Sequence, residues 1–146
     1  MISNVLEQQT RESIARQPLL KLYGTEAHVL RSGYVELKVP VKDFMLRTAG
    51  IVNGGVLAAL ADSAAGYALS TLDERLPYLL TIEFKINFLV AAKGDTILAS
   101  GRVLKNGRTL GVSKADLFML EGERNTLVAT ALVTLIKRQN NGSSNS

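Results

Sequence analysis

Hydrophobic and polar residues alternate along much of the second half of the chain. Between Thr81 and Phe88 the apolar residues Ile82, Phe84, Ile86 and Phe88 occupy every second position. A period of two is typical of a strand with one face in the core, so we expect a half-buried strand here. Further strand-like runs follow at 97–104, 109–120 and 126–136. Turn-forming residues separate the runs: Lys93-Gly94-Asp95, Asn106-Gly107 and Glu121-Gly122-Glu123. The three runs from 97 to 136 predict an antiparallel meander.

The beginning of the chain has a different pattern. Residues 4–22 mix charged and apolar positions and contain one proline, Pro18, which predicts a peripheral helix that ends or bends near that residue. Apolar residues alternate again over 34–41, and together with 28–30 and a turn between them they predict a hairpin with one face in the core.

A long apolar helix is expected between these two regions. It begins at Gly54-Gly55, directly after Asn53, and continues through alanine and leucine to Leu72, where a charged turn follows. Because this helix would be apolar on nearly every face, it must be almost wholly buried. We therefore predict an α+β fold in which an antiparallel sheet curls around a long central helix, since no other segment could cover so much apolar surface.

Composition restricts the class of protein. The chain has 146 residues and is 47% hydrophobic, which suits one domain with one core. We expect a helical segment at 1–24, the main domain at 25–138 and a disordered polar tail at 139–146. There is no cysteine and a single histidine, His28, so thiolate or histidine-rich metal sites and catalytic histidine pairs are excluded. No metal site is expected.

Charge and hydropathy also bear on location and partners. The net charge is +4, but Lys and Arg are scattered rather than clustered with aromatic residues, so nucleic acid is not an expected partner. The N-terminus lacks the basic and apolar regions of a secretory signal. Asp62 lies near the middle of the apolar run from Gly54 to Leu72, which favours a buried helix over a membrane span. We expect a cytoplasmic protein that does not bind membranes.

Asp62 is the first candidate for chemistry. Burying an ionised carboxylate is costly unless it is paired, so Asp62 has either a structural partner, such as Thr81 or a loop, or a chemical role. It lies roughly 12 Å along the helix from Gly54 at ~1.5 Å per residue. If two chains pack with these helices in opposite directions, Asp62 of one chain could approach Gly54 of the other.

The residues around the start of the helix allow two interpretations. The amides of Gly54 and Gly55 could hold a developing oxyanion, or the pair could form a tight loop-to-helix transition capped by Asn53. Arg47 could orient a carbonyl or phosphate, or it could be solvated. The turn at 105–109, which contains Asn106 and Arg108, could hold a phosphate or be an ordinary surface turn.

Three segments carry a family resemblance: Asn53 to Gly66, Thr81 to Phe88 and Lys105 to Leu110. With them the chain resembles the PaaI-like (phenylacetate-pathway) family of hotdog-fold acyl-CoA thioesterases. The resemblance implies a hotdog fold and a homodimer whose sheets join, or a homotetramer of two such dimers, with active sites between subunits. It also implies hydrolysis of a small, aromatic or medium-chain acyl-CoA to the free acid and CoA. No cofactor is expected, because CoA is part of the substrate.

The resemblance further implies roles for individual residues. Gly54 matches the glycine whose amide holds the thioester oxygen, and Asp62 matches the carboxylate that attacks the carbonyl or activates water. Thr81 matches a hydroxyl that helps to orient this water. Asn53 is a further candidate catalytic position. The positions expected to bind substrate are Gly55, Arg47, Asn106 and Arg108, the last near the nucleotide of CoA.

Two positions depart from the family pattern. Asn53 stands where the family has a histidine before the two glycines, and Arg47 stands where it has Asn or Gln. An Asn amide can still donate a hydrogen bond, so we expect altered substrate choice or a lower rate. The alternative is an acyl-CoA-binding hotdog protein without catalysis. A hydratase or dehydratase is less favoured, because His28 lies outside this helix, and a structural or partner-binding role is a further alternative.

Overall fold

The computed structural model describes residues 1–75 and 78–138. Its strands are β1 (Glu26–Arg31), β2 (Tyr34–Pro40), β3 (Leu46–Arg47), β4 (Ile51–Val52), β5 (Tyr78–Phe88), β6 (Thr96–Asn106), β7 (Leu110–Glu121) and β8 (Arg124–Arg138). Six of them form one antiparallel sheet in the order β1-β2-β6-β7-β8-β5, and the short strands β3 and β4 pair with each other. The predicted hairpin and meander are confirmed.

Three α-helices accompany the sheet: α1 (Asn4–Arg16), α2 (Pro18–Tyr23) and α3 (Gly54–Ser70). The predicted break near Pro18 is confirmed, because Pro18 is the first residue of α2, where its missing N–H leaves no intrahelical bond unmade. Ile14 of α1 and Leu20 of α2 are buried in the same core as α3 and the sheet. The two N-terminal helices therefore cover part of the main core.

The sheet wraps around α3, as predicted. The helix contacts β2, β5, β6, β7 and β8, so strands lie on several sides of it. One face of the helix is buried against them, and its residues recur at helical spacing: Val56, Leu57, Leu60, Ala61, Ala64, Ala65, Ala68 and Leu69. A Cβ at Gly101 of β6 would lie 2.1 Å from the Ala64 carbonyl oxygen, so only glycine permits this close approach. The architecture is the hotdog fold.

The expectation that α3 is almost wholly buried is wrong within a single chain. The second face of the helix is only half-buried and carries most of its polar side chains: Asp62, Ser63, Tyr67 and Ser70. This face looks towards α1 and the beginning of β5, which do not pack tightly against it and leave a cavity. The incomplete cover gives Asp62 access to that cavity.

Strand β5 also differs from its predicted burial. The strand is present, but Ile82, Phe84 and Phe88 are 56%, 40% and 54% exposed, and only Ile86 of the four predicted residues packs against the core. The register shifts between Thr81 and Glu83, which displaces Ile82 from the alternation. In addition, within the described residues β5 lies at the edge of the sheet and pairs with β8 alone. The apolar face predicted for this strand is therefore largely uncovered in one chain.

Two further observations concern the C-terminal tail and membrane-spanning helices. The predicted tail, 139–146, lies outside the described residues. No helix within 1–75 or 78–138 combines the length and the apolar character needed to cross a bilayer.

Candidate active site

The start of α3 is held in place by backbone hydrogen bonds to the preceding and following segments. The Asn53 N–H donates to the Met45 carbonyl at 2.8 Å, and the Val52 N–H donates to the Ala92 carbonyl at 2.9 Å. The Asn53 side-chain oxygen accepts from the Gly55 N–H at 2.8 Å. Asn53 is therefore a helix N-cap, which satisfies one of the amides that the first turn leaves without a partner.

The Gly54 amide remains available at this helix start. Val56 and Leu57 donate to the Asn53 carbonyl, and Gly55 donates to the Asn53 side chain. Among the described residues, none accepts a hydrogen bond from the Gly54 N–H. The ring of Phe88 lies against this glycine, because a Cβ there would be 3.1 Å from Phe88 Cζ. An amide at a helix N-terminus with this freedom can bind an anionic oxygen.

Asp62 and Thr81 are brought together by the packing of α3 on β5. Thr81 pairs with the buried Leu135 of β8, so its side chain points towards the helix. Its hydroxyl donates to Asp62 Oδ1 at 2.5 Å. Within 1–75 and 78–138 no group donates to the second carboxylate oxygen, Oδ2. The hydrogen bond fits both the structural and the chemical interpretation of Asp62, and Oδ2 is available to a ligand.

A cavity of about 360 Å³ adjoins this pair. Its walls come from α1, α3, β5 and the end of β8, and the lining residues are Gln9, Thr10, Ser13, Gln17, Asp62, Ser63, Gly66, Tyr67, Ser70, Tyr78, Leu79, Thr81 and Leu135. The volume falls at the small end of the ~300–1,000 Å³ range of ligand sites. Asp62 and Thr81 therefore border a space large enough for a small organic group.

The cavity contains residues that the sequence analysis did not assign to a site. Tyr67 of α3 and Ser13 of α1 share a hydrogen bond of 3.0 Å between their hydroxyl oxygens. Burial raises the pKa of Tyr67, and the hydrogen bond with Ser13 partly offsets this effect. Ser63, Tyr67 and Ser70 recur at helical spacing on α3, a polar stripe that could have signalled a second exposed face. Nothing local to Ser13 indicates its partner.

The other predicted site residues do not line this cavity. Arg47 is exposed on β3, seven residues before Gly54. Arg108 is exposed in the turn between β6 and β7, and the Asn106 side chain accepts a hydrogen bond from Lys137 Nζ near that turn. Gly55 is exposed at the helix start. A single chain therefore distributes the predicted residues over three places: the helix start, the cavity and the turn.

Several polar residues make structural hydrogen bonds or lie at the surface. Ser70 and Thr71 donate to the helix carbonyls of Tyr67 and Ala68 at 2.8 and 2.7 Å. His28 lies on β1 with a side chain that is 43% exposed. In the described part of the chain, no three His, Cys, Asp or Glu side chains cluster in a way that could hold a metal ion.

The part of the chain that holds these residues is similar to known proteins. Residues 49–126, just over half of the chain, match the family model of the thioesterase superfamily. The chain belongs to the thioesterase superfamily. The matched region includes Gly54, Asp62 and Thr81, so the three residues that build the helix start and the carboxylate pair lie within the part that defines the superfamily.

Individual proteins are also similar to this chain. A protein of Saccharolobus solfataricus with the provisional name of an esterase is 33% identical over 88% of this chain and 83% of its own length. Human acyl-coenzyme A thioesterase 13 is 29% identical over 58% of this chain and 61% of its own length.

Solved structures support the fold assignment. A thioesterase family protein from Silicibacter pomeroyi superposes with a TM-score of 0.88 at 34% identity, and the match covers 92% of this chain and 98% of that one. The E. coli PaaI protein from the phenylacetic acid degradation operon superposes with a TM-score of 0.83 at 20% identity, over 94% and 96% of the two chains. The predicted hotdog fold and the resemblance to PaaI-like thioesterases are confirmed.

Proposed function

We propose that this protein is an acyl-CoA thioesterase that hydrolyses a small, aromatic or medium-chain acyl-CoA to the free acid and CoA. One observation carries the proposal: the Asp62 carboxylate borders a cavity, with Oδ1 held by Thr81 and Oδ2 available to a ligand. Membership in the thioesterase superfamily supports thioester hydrolysis. The name of the similar human protein supports CoA esters as the substrate class.

Asp62 can act in either of two ways that give the same products. Its carboxylate attacks the thioester carbonyl carbon, CoA leaves as a thiolate, and water then cleaves the mixed anhydride. Alternatively, Asp62 takes a proton from a water molecule that attacks the carbonyl directly. Each route consumes one water and yields the acid and the CoA thiol. In both routes Thr81 fixes the direction of the carboxylate and helps to orient water.

The negative charge that develops on the carbonyl oxygen requires a donor. The Gly54 N–H is suited to this role, because it points out of a helix N-terminus and has no acceptor among the described residues. Asn53 orients this turn as the N-cap, and its NH₂ group retains two donors for the substrate. This amide takes the position that histidine has in the resembled family.

Asp62 and Gly54 of one chain lie eight residues apart on α3, roughly 12 Å along its axis, too far to hold the same carbonyl. We therefore place each active site between two copies of the chain, with Gly54 from one and Asp62 from the other. The unpaired edge of β5 and its exposed Ile82 and Phe84 support a homodimer, or a homotetramer of two dimers, in which two β5 strands meet.

The remaining substrate contacts belong to CoA. Gly55 and Arg47 lie close to the helix start in sequence and are exposed, as is Arg108. The two arginines suit the phosphates of the nucleotide, and Asn106 lies in the same turn as Arg108. The proposed chemistry uses no cofactor, because CoA is the leaving group of the substrate itself.

The first test replaces the carboxylate. Asp62→Asn keeps the size of the side chain and an acceptor for the Thr81 hydroxyl but removes the base and nucleophile. We expect kcat to fall by roughly 10²–10⁴-fold, measured as release of free CoA thiol. Unchanged hydrolysis across an acyl-CoA panel would exclude a catalytic role for Asp62. Binding of CoA esters by calorimetry without thiol release from the unmodified protein would instead identify a non-catalytic acyl-CoA-binding protein.

The second part of this test isolates the Gly54 amide. Gly54→Pro removes the N–H at the first helical position, where proline is tolerated, and Asn53 already has the extended backbone (φ −61°, ψ 134°) that a following proline requires. The matched control is Gly54→Ala, which keeps the N–H while placing a methyl group near Phe88. We expect the kcat of Gly54→Pro to lie roughly 10²–10³-fold below that of Gly54→Ala. Equal activity of the two variants would contradict the oxyanion role.

Mixed subunits test the arrangement across the interface. A mixed dimer of Asp62→Asn and Gly54→Pro chains has one site with both substitutions and one site with neither. We expect thiol release to recover to about half of the unmodified rate in the purified mixed dimer, because one of its two sites is intact. Failure to recover activity in an assembled mixed dimer would show that both residues act from the same chain.

A further inference from the structure

The cavity beside Asp62 combines hydrogen-bonding groups with apolar surface. Ten of its lining residues have polar side chains, yet more of the exposed lining is apolar than polar. No Lys or Arg occurs among the lining residues that the structure describes, so Asp62 is the charged group in the wall. A ligand in this space therefore meets apolar surface, several hydrogen-bonding groups and one carboxylate.

The hydroxyl groups that line the cavity differ in how many hydrogen bonds they can still form with a ligand. Thr10 and Ser70 donate their protons to the helix carbonyls of Leu6 and Tyr67 at 2.8 Å each. Ser13 and Tyr67 share one hydrogen bond, which uses one of their two protons. The pair therefore retains one donor and several acceptor lone pairs for a ligand.

Tyr67 is well placed to use this capacity. It lies five residues after Asp62 on the same helix, which separates the two Cα atoms by roughly 7.5 Å along the axis. Its hydroxyl is hydrogen-bonded to Ser13 of α1, which favours one orientation of the ring between the two helices. Burial also raises the pKa of Tyr67, so the hydroxyl remains protonated near neutral pH and can donate.

We propose that Tyr67, positioned by Ser13, is a specificity-determining residue whose hydroxyl binds a neutral polar group at the far end of a short acyl chain. This inference rests on the proposed thioesterase function. It commits the substrate to short acyl groups with a terminal hydroxyl, in preference to acyl groups with a terminal methyl or a terminal carboxylate.

Two physical arguments assign the cavity to the acyl group and to this chemistry. The nucleotide of CoA is polyanionic, and a wall with a carboxylate and no cation repels it, so the nucleotide lies outside the cavity. For the same reason a terminal carboxylate on the acyl group is disfavoured. A terminal methyl group makes no hydrogen bond with the Ser13–Tyr67 pair, whereas a terminal hydroxyl group can use the donor or an acceptor that the pair retains.

The test uses two series of CoA esters in which only the terminal group changes. One series is butyryl-, 4-hydroxybutyryl- and succinyl-CoA, and the other is hexanoyl-, 6-hydroxyhexanoyl- and adipoyl-CoA. For the unmodified protein we expect the hydroxyl-terminated ester of at least one series to have a kcat/KM roughly 3–10-fold above the methyl-terminated one. We expect the carboxylate-terminated ester to be the poorest substrate of its series.

Three variants test which residues cause the preference for a terminal hydroxyl group. In Tyr67→Phe the ratio of kcat/KM between the hydroxyl and methyl esters should fall to about one, because only the hydroxyl is removed. The matched control is Tyr34→Phe, which removes a hydroxyl that donates to Glu36 at 2.6 Å outside the cavity and should leave the ratio unchanged. Ser13→Ala, which acts through Tyr67, should lower the ratio partially.

The outcomes separate this inference from the proposed function. Asp62-dependent hydrolysis without a preference for the hydroxyl esters, or with a preference that persists in Tyr67→Phe, would overturn the role of Tyr67 alone. Absence of thiol release from every ester would overturn the thioesterase function and the inference that rests on it. Loss of the preference in Tyr67→Phe together with its retention in Tyr34→Phe would support both.

Discussion

At the scale of single residues, the position of Asp62 combines stability with reactivity. Full burial of a lone carboxylate would cost several kcal/mol, about the free energy that a small domain can spare. Asp62 avoids that cost because it is half-buried and accepts a hydrogen bond from Thr81. The remaining oxygen, Oδ2, accepts no hydrogen bond within the described chain, and the Asp62 side chain lines a cavity. A carboxylate with a purely structural role gains nothing from bordering a cavity.

Replacement of Thr81 tests whether its hydroxyl orients Asp62 by holding Oδ1. Thr81→Val keeps the shape of the side chain and removes the hydroxyl that holds Asp62 Oδ1, so we expect kcat to fall roughly 10–100-fold, with KM changing less. Thr81→Ser is the matched control and should keep most of the activity, because it retains the donor. Steady-state thiol release measures both. Equal rates for the valine and serine variants would show that the hydroxyl does not orient the carboxylate.

At the scale of elements, the close contact of α3 with the sheet determines where the active face of the helix points. Gly101 allows the Ala64 carbonyl to lie where a side chain would otherwise be. The apolar face of α3 can then reach the strands, and the polar stripe with Asp62 and Tyr67 is turned towards α1 and β5. The cavity exists because this second face is covered only loosely.

Gly101→Ala tests the close contact. The added Cβ would overlap the Ala64 backbone, so α3 must move away from the sheet, and we expect a loss of roughly 2–3 kcal/mol in the free energy of unfolding. Gly66→Ala is the matched control: its Cβ would make an ordinary 3.5 Å contact with Leu135, and alanine in a helix interior gains roughly 0.5–1 kcal/mol over glycine. Urea unfolding compares the two. A Gly101→Ala protein as stable as the Gly66→Ala protein would contradict the packing argument.

At the scale of the whole molecule, β5 is incomplete in one chain. It is eleven residues long, pairs on one side only within 1–75 and 78–138, and exposes apolar side chains at Ile82, Phe84 and Phe88. Soluble proteins rarely leave a long apolar edge strand unpaired, because such an edge invites association with another chain. A second copy of the same strand would cover this edge and also bring a second α3 close to the first.

Ile82→Glu tests the importance of this edge. Ile82 is 56% exposed, so a charge there is tolerated by the isolated chain but is disfavoured in an interface. We expect the unmodified protein to be a dimer or tetramer by light scattering, and the variant to shift to monomer and lose roughly 10²-fold or more in kcat with the oxyanion donor absent. Leu22→Glu, at a 59% exposed position on α2, should preserve both assembly and activity. A fully active monomer would refute the shared site.

Local patterns in the sequence predict most of the helices and strands, a sheet curled around a long helix, and Asp62 and Gly54 as candidates for chemistry. These patterns are alternation in strands, a long apolar run in α3 and one carboxylate after a glycine pair, whereas the hotdog fold and the roles of the two residues follow from the family resemblance. Thr81 is also among the partners that the sequence suggests for Asp62, since the predicted fold places the strand with Thr81 beside the helix. Local periodicity carries this information since it reflects which face of each element must be buried.

The exposure of β5, the half-burial of α3 and the composition of the cavity depend on how the elements pack in three dimensions. The bulge at Ile82 shifts one residue out of a regular alternation, and the sheet order leaves β5 at an edge, so the same pattern that predicts a buried face describes an exposed one. Ser13 and Tyr67 are 54 residues apart, and their hydrogen bond depends on how α1 packs over α3. Such contacts join side chains that share no local pattern, and they arise from the packing of whole elements.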